Sequence, residues 1–266
     1  MLLLAEAWLH NLDPFAIDLR GTFVGDLING GIRWYGLSYL VGFVIGYFLI
    51  RRVLSVGVSP LKPAQAMDLV VTIAIGIVLG GRLGYIVFYQ PSLFLEFSNS
   101  FPFWGVFRLA GGGMASHGGI LGGIAGCFFF AWRQEMLAPY KTRHLFDLMA
   151  FGAPLGLLCG RIANFINGEL IGRACDRDFP LAVQFPQEVG EIWIEEQPEK
   201  LADLQQFAAQ QGATNDQVIN IAGHAIDRVQ ANDPVWVNHL AQELTTRYPS
   251  QLIAGLTEGL VVFVVL

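Results

Sequence analysis

The pattern of apolar and polar positions alternates between long uncharged runs and short charged loops. The first run, Trp34 to Ile50, stops at Arg51 and Arg52, and Lys62 follows in a Pro-containing loop. A second covers about Asp68 to Tyr89 and contains Arg82. A third, from about Leu109 to Trp132, carries no formal charge but holds His117. Arg133, Lys141, Arg143 and His144 make the next loop, and a fourth run covers about Phe146 to Phe165 with Asp147 and Arg161 inside it. The last, Leu252 to Leu266, is interrupted by Glu258. Apolar runs of this kind suit helices that cross a hydrocarbon layer about 30 Å thick. They predict an all-α, polytopic transmembrane helix bundle with about five spans.

Between the fourth and fifth runs the pattern changes to a polar stretch rich in Gln, Asn and Glu, with amphipathic helices expected near 198–211 and 215–230. The expected division is therefore a membrane bundle core over 1–186, a polar acidic insertion over 187–250, and a final transmembrane helix over 251–266. The first twenty residues have too short an apolar run for a signal peptide and read as an interfacial segment.

Composition agrees with the pattern. Apolar residues make up 53% and charged residues 14%, against about 25% charged in soluble domains, and the mean hydropathy is +0.48. The net charge of −6 comes with no basic stripe, which argues against nucleic acid as a partner. Basic residues instead gather in the loops between runs one and two and between runs three and four, which the positive-inside rule places in the cytoplasm. The N-terminus and the insertion are then extracytoplasmic, and residues 164–251 carry five Lys or Arg against thirteen Asp or Glu. Cys127, Cys159 and Cys175 fit neither a metal-ligand spacing nor a disulfide framework. No metal or cofactor is expected.

Small residues recur at helix-packing spacing: Gly76 with Gly80; Gly118, Gly122 and Gly126; Gly152, Gly156 and Gly160. In lipid such ladders let helices approach closely. Ionisable groups at membrane depth are costly, so those present point to function or to specific pairing. Arg161 is second in the segment GRIANFINGELIGR, where Asn164 and Gly168 would share its face of a helix and Asn167 and Glu169 flank Gly168. A guanidinium there either snorkels to the interface or holds a phosphate. His117, framed by glycines, either packs between helices or accepts a proton. Tyr35 reads as an aromatic-belt residue or part of a site. Arg82 could snorkel, bind lipid phosphate, or pair with Asp147 or Glu169.

The segments RWYGLSYLVGF (33–43), GGRLGYIVFY (80–89), GGGMASHGG (111–119), GRIANFINGELIGR (160–173) and RYPSQL (247–252) resemble those of the bacterial prolipoprotein diacylglyceryl transferase family. The resemblance implies seven membrane spans, two of them beyond Leu266, in a bacterial inner membrane. It implies transfer of the sn-1,2-diacylglyceryl group from phosphatidylglycerol to the thiol of a prolipoprotein lipobox cysteine, with glycerol phosphate leaving. His117, Tyr35 and Arg161 correspond to the catalytic set. Asn164 corresponds to the family's asparagine, Glu169 and Gly172 lie in the same segment, and substrate binding is expected of Arg161, Asn164, Asn167, Glu169, Gly172 and Arg82. After RYPSQL the family continues with Tyr-Glu, where this chain has Ile253 and Ala254. Two other functions compete: a noncatalytic lipid-binding membrane protein, and a transporter, which would spread polar residues through paired broken helices.

Overall fold

A computed structural model describes the chain except for residues 1–6, 28–29, 58, 100–102, 109–112 and 136–137. It opens with β1 (Trp8–Leu9), β2 (Phe15–Asp18), a short α1 (Phe23–Leu27) and β3 (Gly31–Arg33). Four long helices follow: α2 (Trp34–Ser55), α3 (Ala66–Tyr89), α4 (Ser116–Arg133) and α5 (Pro139–Asn167). The polar region holds β4 (Val183–Gln184), α6 (Ile194–Glu196), α7 (Pro198–Gln210), α8 (Asn215–Ile219), α9 (Ile221–Gln230), α10 (Pro234–Glu243) and β5 (Thr246–Arg247). A last helical stretch is α-helical at α11 (Ser250–Ala254) and α12 (Val262–Val265), and wider-wound over Gly255–Val261.

Each of the five expected runs contains a helix, the third only from Ser116 onward. Three helices, Trp34–Ser55, Pro63–Tyr89 and Lys141–Asn167, are long and apolar enough to cross a membrane. The other two are shorter: α4 has 18 residues and Ser250–Val265 is a shorter apolar helix. The expected start of the third run at 109–112 lies outside the described residues.

Contacts divide the chain into two compact units, one of residues 15–159 and 257–266, the other of 1–14 and 160–256. Strand pairing and hydrogen bonds tie residues 8–10 and 160–186 to the polar region.

In the first unit α3 shows why the sequence packs as it does. Val71, Ile75, Leu79, Leu83 and Val87, at i+4 spacing, are all exposed, an outward stripe that suits lipid. A neighbouring face, about 100° round the helix, presents Gly76, Gly80 and Gly84 to Gly118, Gly122 and Gly126 of α4. A Cβ at Gly80 would stand 2.7 Å from the Cα of Gly122, and one at Gly84 2.8 Å from the Cα of Gly118. Backbone thus lies on backbone, which only glycine permits. The third glycine ladder differs. A Cβ at Gly42 would stand 3.3 Å from the Cα of Gly156, and one at Gly152 3.9 Å from that of Gly46, while Gly156 and Gly160 themselves face open space. Beside this looser α2–α5 crossing is an apolar cavity of about 250 Å³, lined among others by Tyr39, Phe43, Ile50, Ile73, Met149 and Leu157.

The second unit is built on the insertion, which folds around its own core. Val189, Trp193, Leu204, Ala208, Ile221, Ala225, Val229, Trp236, Leu240 and Leu244 are buried together. Thr214 caps α8 with a capping box and Asp233 caps α10, each followed by a helix-starting pattern. Among the described N-terminal residues, β1 pairs in parallel with β4, which pairs antiparallel with β5.

Candidate functional site

Tyr35, Arg82 and His117 belong to the first unit; Arg161, Asn164, Asn167, Glu169 and Gly172 belong to the second. In the first unit Tyr35 stands in the opening turn of α2, half-buried, with its ring edge-on to Tyr39 at 5.3 Å and the two hydroxyls 3.5 Å apart. Tyr39 also lines the apolar cavity, so this pair leads from a polar end into apolar space. Sequence reasoning passed over Tyr39, which looks like any aromatic in a span.

Arg82 meets backbone carbonyls that its spacing along the chain does not reveal. It is 5% exposed and its guanidinium donates to four backbone carbonyls. Nε reaches Val106 O at 2.8 Å, Nη1 reaches Gly113 O at 3.1 Å, and Nη2 reaches Gly105 O at 2.9 Å and Arg108 O at 3.0 Å. The Gly81 carbonyl accepts from Ala115 N at 2.9 Å. The segment before α4 is therefore fastened to α3, and His117 emerges exposed in the first turn of α4. Among the described residues its ring makes no hydrogen bond, so the imidazole is open to a reacting group. Gly113 has φ +87°, and a Cβ there would meet the Tyr85 ring.

In the second unit the segment 160–173 ends α5 in a Schellman turn. Gly168, at φ +69°, donates to Phe165 O at 3.0 Å, and Glu169 N donates to Asn164 O at 2.9 Å. Gly168 therefore does not share a helix face with Arg161 and Asn164, because the helix stops at Asn167 and glycine supplies the left-handed residue. The reversal folds the Glu169 carboxylate back onto the helix end. Oε2 accepts from Asn164 Nδ2 at 3.1 Å and Oε1 from Asn167 Nδ2 at 3.2 Å. Each amide keeps another N–H and its carbonyl group. Arg161 lies one turn earlier on the Asn164 face.

Residues 169–175 are fastened along 246–251. Gln251 Nε2 donates to Glu169 O at 2.7 Å, Ser250 Oγ to Leu170 O at 3.2 Å, and Arg247 Nη1 to Gly172 O at 2.9 Å. Tyr248 N donates to Arg173 O at 3.0 Å, and Cys175 N to Thr246 O at 2.9 Å. A Cβ at Gly172 would collide with the Tyr248 carbonyl, so a side chain there would push the two segments apart.

His10, which sequence reasoning did not single out, is 1% exposed and bonds through Nε2 to Phe165 O at 2.8 Å. It packs against Phe165 and Phe185. Burial pulls its pKa down to about 4, against the opposing pull of its backbone bonds. Burial likewise raises the Glu191 carboxyl, with the Glu169 charge adding and Arg247 opposing. Burial, and after it the neighbouring Asp176, raises the Cys175 thiol. Among the described residues no group of three or more His, Cys, Asp or Glu could hold a metal ion.

The family model described as prolipoprotein diacylglyceryl transferase matches residues 25–266. The phosphatidylglycerol–prolipoprotein diacylglyceryl transferase of Bdellovibrio bacteriovorus is 40% identical over 97% of this chain and 74% of its own length. The transferase of that name from Bradyrhizobium diazoefficiens is 41% identical over 66% of this chain and 58% of its own length, and that of Roseobacter denitrificans 44% over 58% and 51%. The chain thus spans about three quarters of the first relative and between half and three fifths of the other two.

Proposed function

The chain belongs to the prolipoprotein diacylglyceryl transferase family, and from that premise we propose that it moves the diacylglyceryl group of phosphatidylglycerol onto the lipobox cysteine of a prolipoprotein. The carbon–sulfur bond forms as the carbon–oxygen bond to phosphate breaks. The thiol proton goes to a base and glycerol phosphate leaves. The observation that carries this reading is the end of α5, where Glu169 holds the amides of Asn164 and Asn167 one turn beyond Arg161.

In this reading Arg161 binds the phosphate and offsets charge as it departs, the electrostatic contribution expected to dominate such a step. Asn164 and Asn167 bind the glycerol head group through the amide atoms that Glu169 leaves open. His117 takes the thiol proton, and its place in the first turn of α4 suits negative charge developing nearby. Tyr35 assists it. Arg82 acts by positioning the segment before His117 rather than by binding phosphate, since its donors are directed at carbonyls. Gly172 contributes by its missing side chain. The cavity beside Tyr39 has the polarity of an acyl-chain site. The loops holding Arg51, Arg52 and Lys62, and Arg133, Lys141 and Arg143, face the cytoplasm of a bacterial inner membrane, which leaves the insertion outside.

The test is transfer of labelled diacylglyceryl from phosphatidylglycerol to a lipobox peptide by the purified chain in detergent. Arg161→Ala and Asn164→Ala are expected to abolish it. Undiminished transfer in both variants would remove the site from the signature segment.

A further inference from the structure

We propose that Glu188, through Arg247, is a positioning residue for the signature segment, and that it couples the inserted helical module to the site. The proposal rests on the reading of residues 160–173 as the head-group site.

Glu188 is the last residue before the module's own core begins at Val189, and it is fully buried. A buried carboxylate persists only where donors satisfy it, and this one has them from both ends of the module. Oε1 accepts from Trp193 Nε1 at 3.1 Å, from Thr245 Oγ1 at 2.8 Å and from Thr245 N at 3.4 Å. Oε2 accepts from Arg247 Nε at 2.8 Å. Trp193 is a core residue of the module, while Thr245 and Arg247 lie just past its exit at Leu244. One carboxylate thus closes the neck of the module.

The same arginine passes the constraint on. With Nε committed to Glu188, Arg247 turns Nη1 to the Gly172 carbonyl at 2.9 Å, in a side chain only 12% exposed. Gly172 is the point where a Cβ would strike the Tyr248 carbonyl, so the segment has no slack there. From Gly172 the bonds run back through Leu170 and Glu169 to the carboxylate that orients Asn164 and Asn167. A planar guanidinium with donors in two directions makes this link, and an ammonium on a flexible stem cannot make both bonds in the same geometry.

The test combines amide hydrogen exchange with kinetics, on the full chain in detergent. Glu188→Gln keeps the shape but loses the charge, and Arg247→Lys keeps the ion pair but loses the second bond. Both are expected to speed exchange across 169–175 by about ten-fold, and to lower kcat by roughly ten- to a hundred-fold, with the peptide KM held. Trp236→Ala, which destabilises the module core, and Arg228→Ala, which breaks an exposed ion pair, serve as comparisons. Unchanged exchange at 169–175 in Glu188→Gln and Arg247→Lys overturns the proposal. So does Trp236→Ala reproducing their exchange and kcat at equal loss of melting temperature, since that reduces the effect to stability. If the unaltered chain transfers nothing, the functional reading fails, and the exchange data alone decide the coupling.

Discussion

Two regions of the molecule are held in place by opposite means. Along α3 and α4 the fastening is an absence: glycines at 76, 80, 84, 118, 122 and 126 let backbones touch, and no side chain intervenes. Along 169–175 and 246–251 the fastening is a row of hydrogen bonds, with the carbonyls of Glu169, Leu170, Gly172 and Arg173 each engaged. The difference follows from the surroundings. Lipid gives no hydrophobic reward for joining two apolar helices, so close van der Waals contact does it. The polar segment has no continuous helix to satisfy its carbonyls, so side chains and a neighbouring strand must. Arg82 is where the first region borrows the method of the second, inserting one cation into a ring of carbonyls before α4.

The largest effect expected is at the seam. Gly122→Val would force α3 and α4 apart at a cost of about 3 kcal/mol or more, read as loss of monodisperse protein in detergent. A normal melting temperature would mean the helices can slide, and the comparison would lose its first half. Arg82→Ala comes next, leaving buried carbonyls without their donor for roughly 3 kcal/mol. Its transfer rate should fall with no change in the exchange of 169–175, because that segment is fastened by other residues.

The pH response of His10 sharpens the second half. Its folded pKa of about 4 lies below the unfolded 6.5, so the unfolded state binds more protons between these values. Stability is complete above about pH 6.5 and falls as pH drops toward 4, by roughly 3 kcal/mol at most. His10→Phe should flatten the thermal stability of the chain over that window. Gly172→Ala should cost about 1–3 kcal/mol as the Tyr248 carbonyl gives way, with transfer reduced about ten-fold or more. The smallest effect belongs to Gly156→Ala, where a Cβ meets open space. There the better helix propensity of Ala should raise stability by about 0.5–1 kcal/mol, against the loss expected for Gly80→Ala.

Much of this was legible from residue order. The uncharged runs marked the helices because hydropathy is a local property, and the glycine ladders at 76–80 and 118–126 marked the seam because four-residue spacing defines a helix face. The turn at Asn167–Gly168–Glu169 is legible as unusual chemistry but not as a Schellman reversal, so helix spacing extends the face of Arg161 and Asn164 to Gly168, one residue beyond the end of the helix. The third ladder was indistinguishable from the first two by spacing alone. Whether a glycine meets a backbone or a cavity depends on the helix opposite.

Residue order alone marks which runs are apolar enough for lipid, which loops carry positive charge, and which few residues bring polar chemistry to an apolar chain. Tertiary structure alone decided the partners. Arg82 meets carbonyls 23 to 31 residues away, Glu188 meets Arg247 across 59, and His10 meets the end of α5 across 155. Hydropathy and helix periodicity act over one or two turns and are written in neighbouring residues. A hydrogen bond is made wherever the folded chain brings donor and acceptor within about 3 Å, and that meeting is set by the whole path of the backbone between them.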